Sequence, residues 1–285
     1  MNKSVFKILL IPAVLLTGIY VNAQGTDFLD SPRDDIYTKL ETPEREPVPY
    51  VPLREADIAW KKRVWRIVDF RQKKNHPLYF PIQPKKNWKN LATILIDAVR
   101  QEKITAYDPK LDDQFLDPLT PEEVEDILVK IDTVNEFDEY GDVIGQKQRI
   151  TELDISTIKK LQIKEVWYFD KQRSIMDVRI LGLCLKKESF DDYGNSLGDE
   201  NLFWVYYPEA RKILAKAEVF NPFNTAANLT YDDYFMKRLF DSYIYKEDNV
   251  YDRMISDYAV GMDALLESER IKNELLEFEQ YLWEY

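Results

Sequence analysis

The chain has 285 residues, 45% of them hydrophobic, with 51 acidic against 39 basic side chains and a formal net charge of −12. That excess of negative charge repels nucleic acid and anionic lipid headgroups, and excludes both as general partners. A single cysteine, Cys184, rules out an intramolecular disulfide, so stability must come from packing.

Lys3 and Lys7 lead into an apolar run from Ile8 to Ile19, which closes at Val21-Asn22-Ala23 before Gln24. This pattern predicts a secretory signal peptide over residues 1–23, cut between Ala23 and Gln24. The run is shorter than the roughly 20 residues a membrane-spanning helix needs, so direct membrane insertion is not expected. No cysteine follows the cut to carry a lipid. The expected product is a periplasmic protein that is soluble or held by partners.

Residues 24–53 read as an extended arm, because Pro32, Pro43, Pro47, Pro49 and Pro52 forbid a helix there. Its spaced apolar residues, among them Tyr50, Val51 and Leu53, exceed what a linker needs and predict docking on a partner.

Residues 54–285 are expected to form one α+β domain, helices packed with an antiparallel meander and hairpins. Trp60, Val64, Ile67 and Val68 have helical spacing and predict a first helix from Glu55 to Gln72, ended by His76-Pro77. Lys62, Arg63 and Arg66 would form its basic back, a candidate partner-binding face. A second helix is predicted over Trp88 to Lys103, then a short strand, Ile104 to Asp108, closed by Pro109. Thr120-Pro121-Glu122-Glu123 has the form of a capped helix start.

The turn Phe137-Asp-Glu-Tyr-Gly-Asp-Val-Ile-Gly145 recurs 53 residues later as Phe190-Asp-Asp-Tyr-Gly-Asn-Ser-Leu-Gly198, with five of nine positions identical. Both copies end apolar stretches and predict two hairpin tips, and an internal duplication is one account of them. Ile163 to Asp170, Ile175 to Leu185 and Asn201 to Tyr207 read as meander strands, with Trp167, Phe169, Ile180, Leu183, Phe203 and Val205 as core candidates. Helices follow over Pro208 to Ala217, Tyr231 to Phe240 with Thr230 as cap, and Met262 to Trp283.

Little here points to chemistry. His76 is the only histidine and Cys184 lies in the apolar run Leu181-Gly-Leu-Cys-Leu185, so no catalytic residue, metal ligand or cofactor site is assigned. The acidic turns, Asp138, Glu139 and Asp142 with Asp191, Asp192 and Asp199, lack the calcium-loop order. Eight glycines leave no phosphate-binding pattern. Charge is uneven: Lys61 to Lys89 hold ten bases and one acid, and Glu188 to Tyr285 hold twenty-one acids and nine bases. Such ends are either solvated faces or the two sides of a head-to-tail contact.

Five segments carry a resemblance: Ala59-Trp-Lys-Lys-Arg-Val-Trp-Arg-Ile-Val-Asp69, Asn75-His-Pro-Leu, Thr105-Ala-Tyr-Asp108, Val166-Trp-Tyr-Phe-Asp-Lys171 and Ile180-Leu-Gly-Leu183. In this order, behind a signal peptide and a Pro-rich arm, the chain resembles the GldN/PorN family of the Bacteroidetes gliding and type IX secretion machinery. The resemblance implies a non-enzymatic subunit of a periplasmic ring at the inner side of the outer membrane. It implies self-association, assembly with a GldK/PorK-like lipoprotein and contact with the periplasmic part of a GldM/PorM-like protein. The alternative is a periplasmic ligand-binding module with a pocket built from the aromatics between Phe220 and Tyr245.

Overall fold

The computed structural model describes residues 44–285, apart from 86–87, 111–112, 138–142, 192–193, 222–223, 225 and 284–285. The segment expected as a first helix is instead a long strand, β1 (Ile58–Asp69). Residues 64–68 of β1 are all buried, because the sheet is covered on both faces at this point. A five-residue buried block without period two, Arg66 included, leaves its apolar members at spacings that look helical. Its content of Val, Trp and Ile, suited to a pleated surface, was the signal for a strand.

After β1 come a short helix α1 (His76–Tyr79), α2 (Leu91–Arg100), β2 (Ala106–Tyr107) and α3 (Pro121–Leu128). Pro77 occupies the first turn of α1, where its missing N–H costs nothing, so His76-Pro77 starts a helix instead of ending one. Asn90 caps α2, its Oδ1 accepting from the Thr93 N–H at 2.7 Å. Thr120 and Glu123 form the expected capping box of α3. The chain continues through β3 (Val129–Phe137), β4 (Val143–Glu152), β5 (Ile158–Asp170), β6 (Ile175–Phe190) and β7 (Ser196–Tyr206). It closes with α4 (Tyr207–Leu214), α5 (Tyr231–Met236), β8 (Tyr243–Glu247) and α6 (Met262–Trp283). This is an α+β fold.

Six strands make the main antiparallel sheet in the order β2-β7-β6-β5-β1-β8, and β3 pairs with β4 alone. The described residues of both nine-residue repeats lie at the ends of antiparallel strand pairs, β3 with β4 and β6 with β7, and they pair alike. Phe137 faces Val143 and Glu136 faces Gly145; 53 residues on, Phe190 faces Ser196 and Ser189 faces Gly198. Each tip slips register at the same step, and the shared pairing runs on to Glu188 opposite Asp199, matching Asn135 opposite Gln146. In the second copy Gly198 takes a φ of +110°, open to glycine and strained for other residues.

One sheet face carries the main core. Val68, Leu161 and Leu185 line up across three strands, as do Ile163, Leu183 and Val205. On them pack Leu95 and Val99 of α2, Ala210 and Leu214 of α4, and Tyr234 and Phe235 of α5. A second cluster joins Val64 and Ile244 to Ile255 and to Ile271 and Leu275 of α6. The opposite face holds Trp65, Cys184 and Trp204, with Tyr107, Phe115 and Tyr245 against them. Of the expected core, Ile180, Leu183, Phe203 and Val205 are buried, whereas Trp167 and Phe169 are half-buried.

Candidate interaction surface

Because β1 is a strand, its cations alternate sides instead of sharing a helix back. Lys62 meets Glu247 at 2.6 Å and Arg63 meets Asp248 at 3.1 Å, so both tie β1 to β8 and the residue after it. Arg66 is buried, its side chain 6% exposed, and is paired with Glu165. That corrects the expectation of a basic face offered to a partner: Arg66 is an interior residue and only Arg63 keeps nearly half its side chain in solvent. At the Lys62–Glu247 and Arg63–Asp248 pairs the opposite charges of the two stretches therefore meet inside one chain.

Glu165 is the centre of a buried polar group. Its oxygens also accept from Arg238 Nη1 and from Trp167 Nε1, each at 2.8 Å, and both guanidinium groups lie over the Trp167 ring. Burial alone raises the Glu165 pKa, but the positive charges of Arg66 and Arg238 and the hydrogen bonds from Arg238 and Trp167 outweigh it, leaving the carboxyl below its ordinary value. A buried charge is tolerated only when paired in this way.

The arm residues also lie on the body of their own chain. The ring of Tyr50 stacks against Arg211 at 4.2 Å and Arg179 at 4.8 Å, and Arg179 donates to the Val51 carbonyl. Arg45 donates to the Asn228 carbonyl at 3.0 Å and pairs with Asp233 at 3.0 Å. Arg211 is itself fixed by a fork of hydrogen bonds to Asp232, which also accepts from Tyr207. Val51 remains exposed and Leu53 is half-buried.

The surface that sequence reasoning missed runs from Val250 to Leu266. Val250, Tyr251, Val260, Met262, Leu265 and Leu266 are each more than half exposed. Met254 and Leu265 also line a cleft of about 620 Å³, together with Ile67, Tyr243, Ile244 and Tyr245. Lys186 lies in this cleft, where burial pushes its ammonium pKa down against the pull of Asp199. This concentration of exposed apolar side chains makes the segment the candidate interaction surface, since isolated apolar side chains need no such explanation. Its sequence signal was weak: α6 keeps Ile271 and Leu275 inward, while Leu265, Leu266 and Leu276 break the amphipathic pattern outward.

The aromatic segment considered for a ligand pocket is mostly core. Tyr231, Tyr234, Phe235 and Phe240 are buried in it, and Phe220 packs edge-on against Trp88. Phe223 lies outside the described residues; Tyr243 and Tyr245 line the cleft. The remaining candidates for chemistry have structural places. Burial pushes the Cys184 thiol up to about 12. His76 is exposed, its Nε2 3.2 Å from the Arg71 carbonyl. In the second acidic turn, Asp191 accepts from the backbone and side-chain nitrogens of Asn195; Asp138, Glu139, Asp142 and Asp192 lie outside the described residues. Among the described residues no cluster of acidic, His and Cys side chains is arranged to hold a metal, and no helix is long and apolar enough to cross a membrane.

Residues 53–284 match the family described as gliding motility associated protein GldN. The chain belongs to the GldN family. No curated protein matches it. In this GldN-family chain, the segments that carried the resemblance are structural. Asn75 holds the end of β1 to the approach of β8, donating to the Asp69 and Asp241 carbonyls at 2.8 and 2.9 Å and accepting from the Asp241 N–H. Trp167 serves the Glu165 centre, and Gly182 leaves room for the Phe115 ring.

Proposed function

We propose that the chain is a non-enzymatic structural subunit of the periplasmic ring associated with the outer membrane in type IX secretion and gliding. It assembles with a GldK/PorK-like lipoprotein and with a GldM/PorM-like periplasmic domain. Membership of the GldN family supports the setting. The observation that supports the assembly role is the concentration of exposed apolar side chains between Val250 and Leu266, among them Val250, Tyr251, Val260, Met262, Leu265 and Leu266. The thiol of Cys184, raised by burial, and the exposed, backbone-bound His76 give the protein no activated nucleophile at either position. Affinity purification of the tagged chain from detergent-solubilised envelopes tests the reading. Recovery of a lipoprotein and an inner-membrane-linked protein in fixed ratio is the expected result; recovery of the chain alone contradicts it.

A further inference from the structure

The segment from Arg45 to Leu53 is held to the body by few contacts, and their chemistry is specific. Tyr50 lies on two guanidinium groups, Arg179 holds the Val51 carbonyl, and Arg45 is held by Asp233 and Asn228. Yet no residue from Glu44 to Asp57 is buried, and Val48 and Val51 face solvent. The fit is also incomplete: the Tyr50 hydroxyl is shut away from solvent without a hydrogen-bond partner. A buried polar group left in that state weakens the docked form, whichever chain supplies the cradle, and favours release of the strap. Pro47, Pro49 and Pro52 keep the segment extended, so it loses little order on leaving.

We propose that this strap is exchanged between copies, the Arg45–Val51 segment of one chain seating in the cradle of Arg179, Arg211, Asp233 and Asn228 on a second copy. The inference rests on the assembly reading above and names a second copy of this chain as the partner of the arm. Every strap contact is available from another chain as readily as from its own, and neighbours in an assembly present the strap at high effective concentration. Strap and cradle are different surfaces, so exchange either closes reciprocally between two copies or passes head-to-tail from copy to copy, and the second form is the one that closes into rings.

The test uses the full chain in its own envelope. Cys184 is buried, so introduced cysteines supply the reactive thiols. Arg45→Cys and Asp233→Cys are placed on two differently tagged copies produced together, and envelopes are treated with a short bismaleimide. Val51→Cys with Arg179→Cys repeats the test at a second contact. Exchange predicts a doubly tagged band at twice the chain's mass, and a ladder when both cysteines sit on one chain. A cross-link confined within single chains, or none at either pair, overturns exchange. Sedimentation of the same samples separates the two readings: large particles with internal cross-links sink exchange alone, and lone monomers sink the assembly reading with it.

Discussion

Arg66 of β1 and Glu165 of β5 form an ion pair on the face of the sheet, between Ile163 and Val64, where the main core gives way to the α6 cluster. Arg238, just beyond α5, closes the pair from above. The pair therefore ties together strands distant in sequence and the helical layer.

Glu165→Gln leaves Arg66 buried without its counter-charge. Loss of one partner from a buried pair costs about 3–5 kcal/mol. The urea midpoint of the variant should fall accordingly at pH 7, with an unchanged slope.

The same carboxylate sets an acid limit. Its folded pKa lies below its unfolded value of about 4.3, so its contribution is fully present above that value and is lost as pH falls through the folded one. Stability measured from pH 6 down to pH 3 should drop, and Glu165→Gln should drop less steeply.

Gly182→Ala places a methyl group against the Phe115 ring, with Trp204 at 3.3 Å. Overpacking of this kind costs about 1–3 kcal/mol. Phe115→Ala in the same chain should recover part of the loss in thermal unfolding, and strict additivity of the two changes would contradict the contact.

Cys184 should resist maleimide at pH 7 in the folded chain and react in urea. A thiol raised to about 12 holds roughly one thiolate in 10⁵ at that pH, and burial blocks access as well.

Val260→Glu with Leu266→Glu alters side chains that are 82% and 61% exposed. Folding stability should change by no more than about 0.5 kcal/mol, while co-purification of envelope partners should be lost. Retained partners would remove this surface from the contact.

Most of the architecture was legible in local pattern. Thr120 and Thr230 announced their helices, Pro109 ended β2, and the paired turns after Phe137 and Phe190 marked two hairpins that the register shows to be built alike. β1 was misread because burial on both faces erases the alternation that identifies a strand, leaving Trp60, Val64 and Ile67 at helical spacing. That error carried into the site: on a helix Lys62, Arg63 and Arg66 point one way, and on a strand they divide. Their partners, Glu247, Asp248 and Glu165, lie about 100 to 185 residues away, a distance no local rule spans. The Val250–Leu266 surface escaped notice because outward and inward leucines on α6 look the same until the sheet is in place.

The state of the protein in its own envelope tests the central claim most directly. Native sedimentation of gently solubilised envelopes should find the chain in particles many times the mass of one copy, together with other envelope proteins. A chain that sediments alone, at the mass of a single copy, contradicts the account.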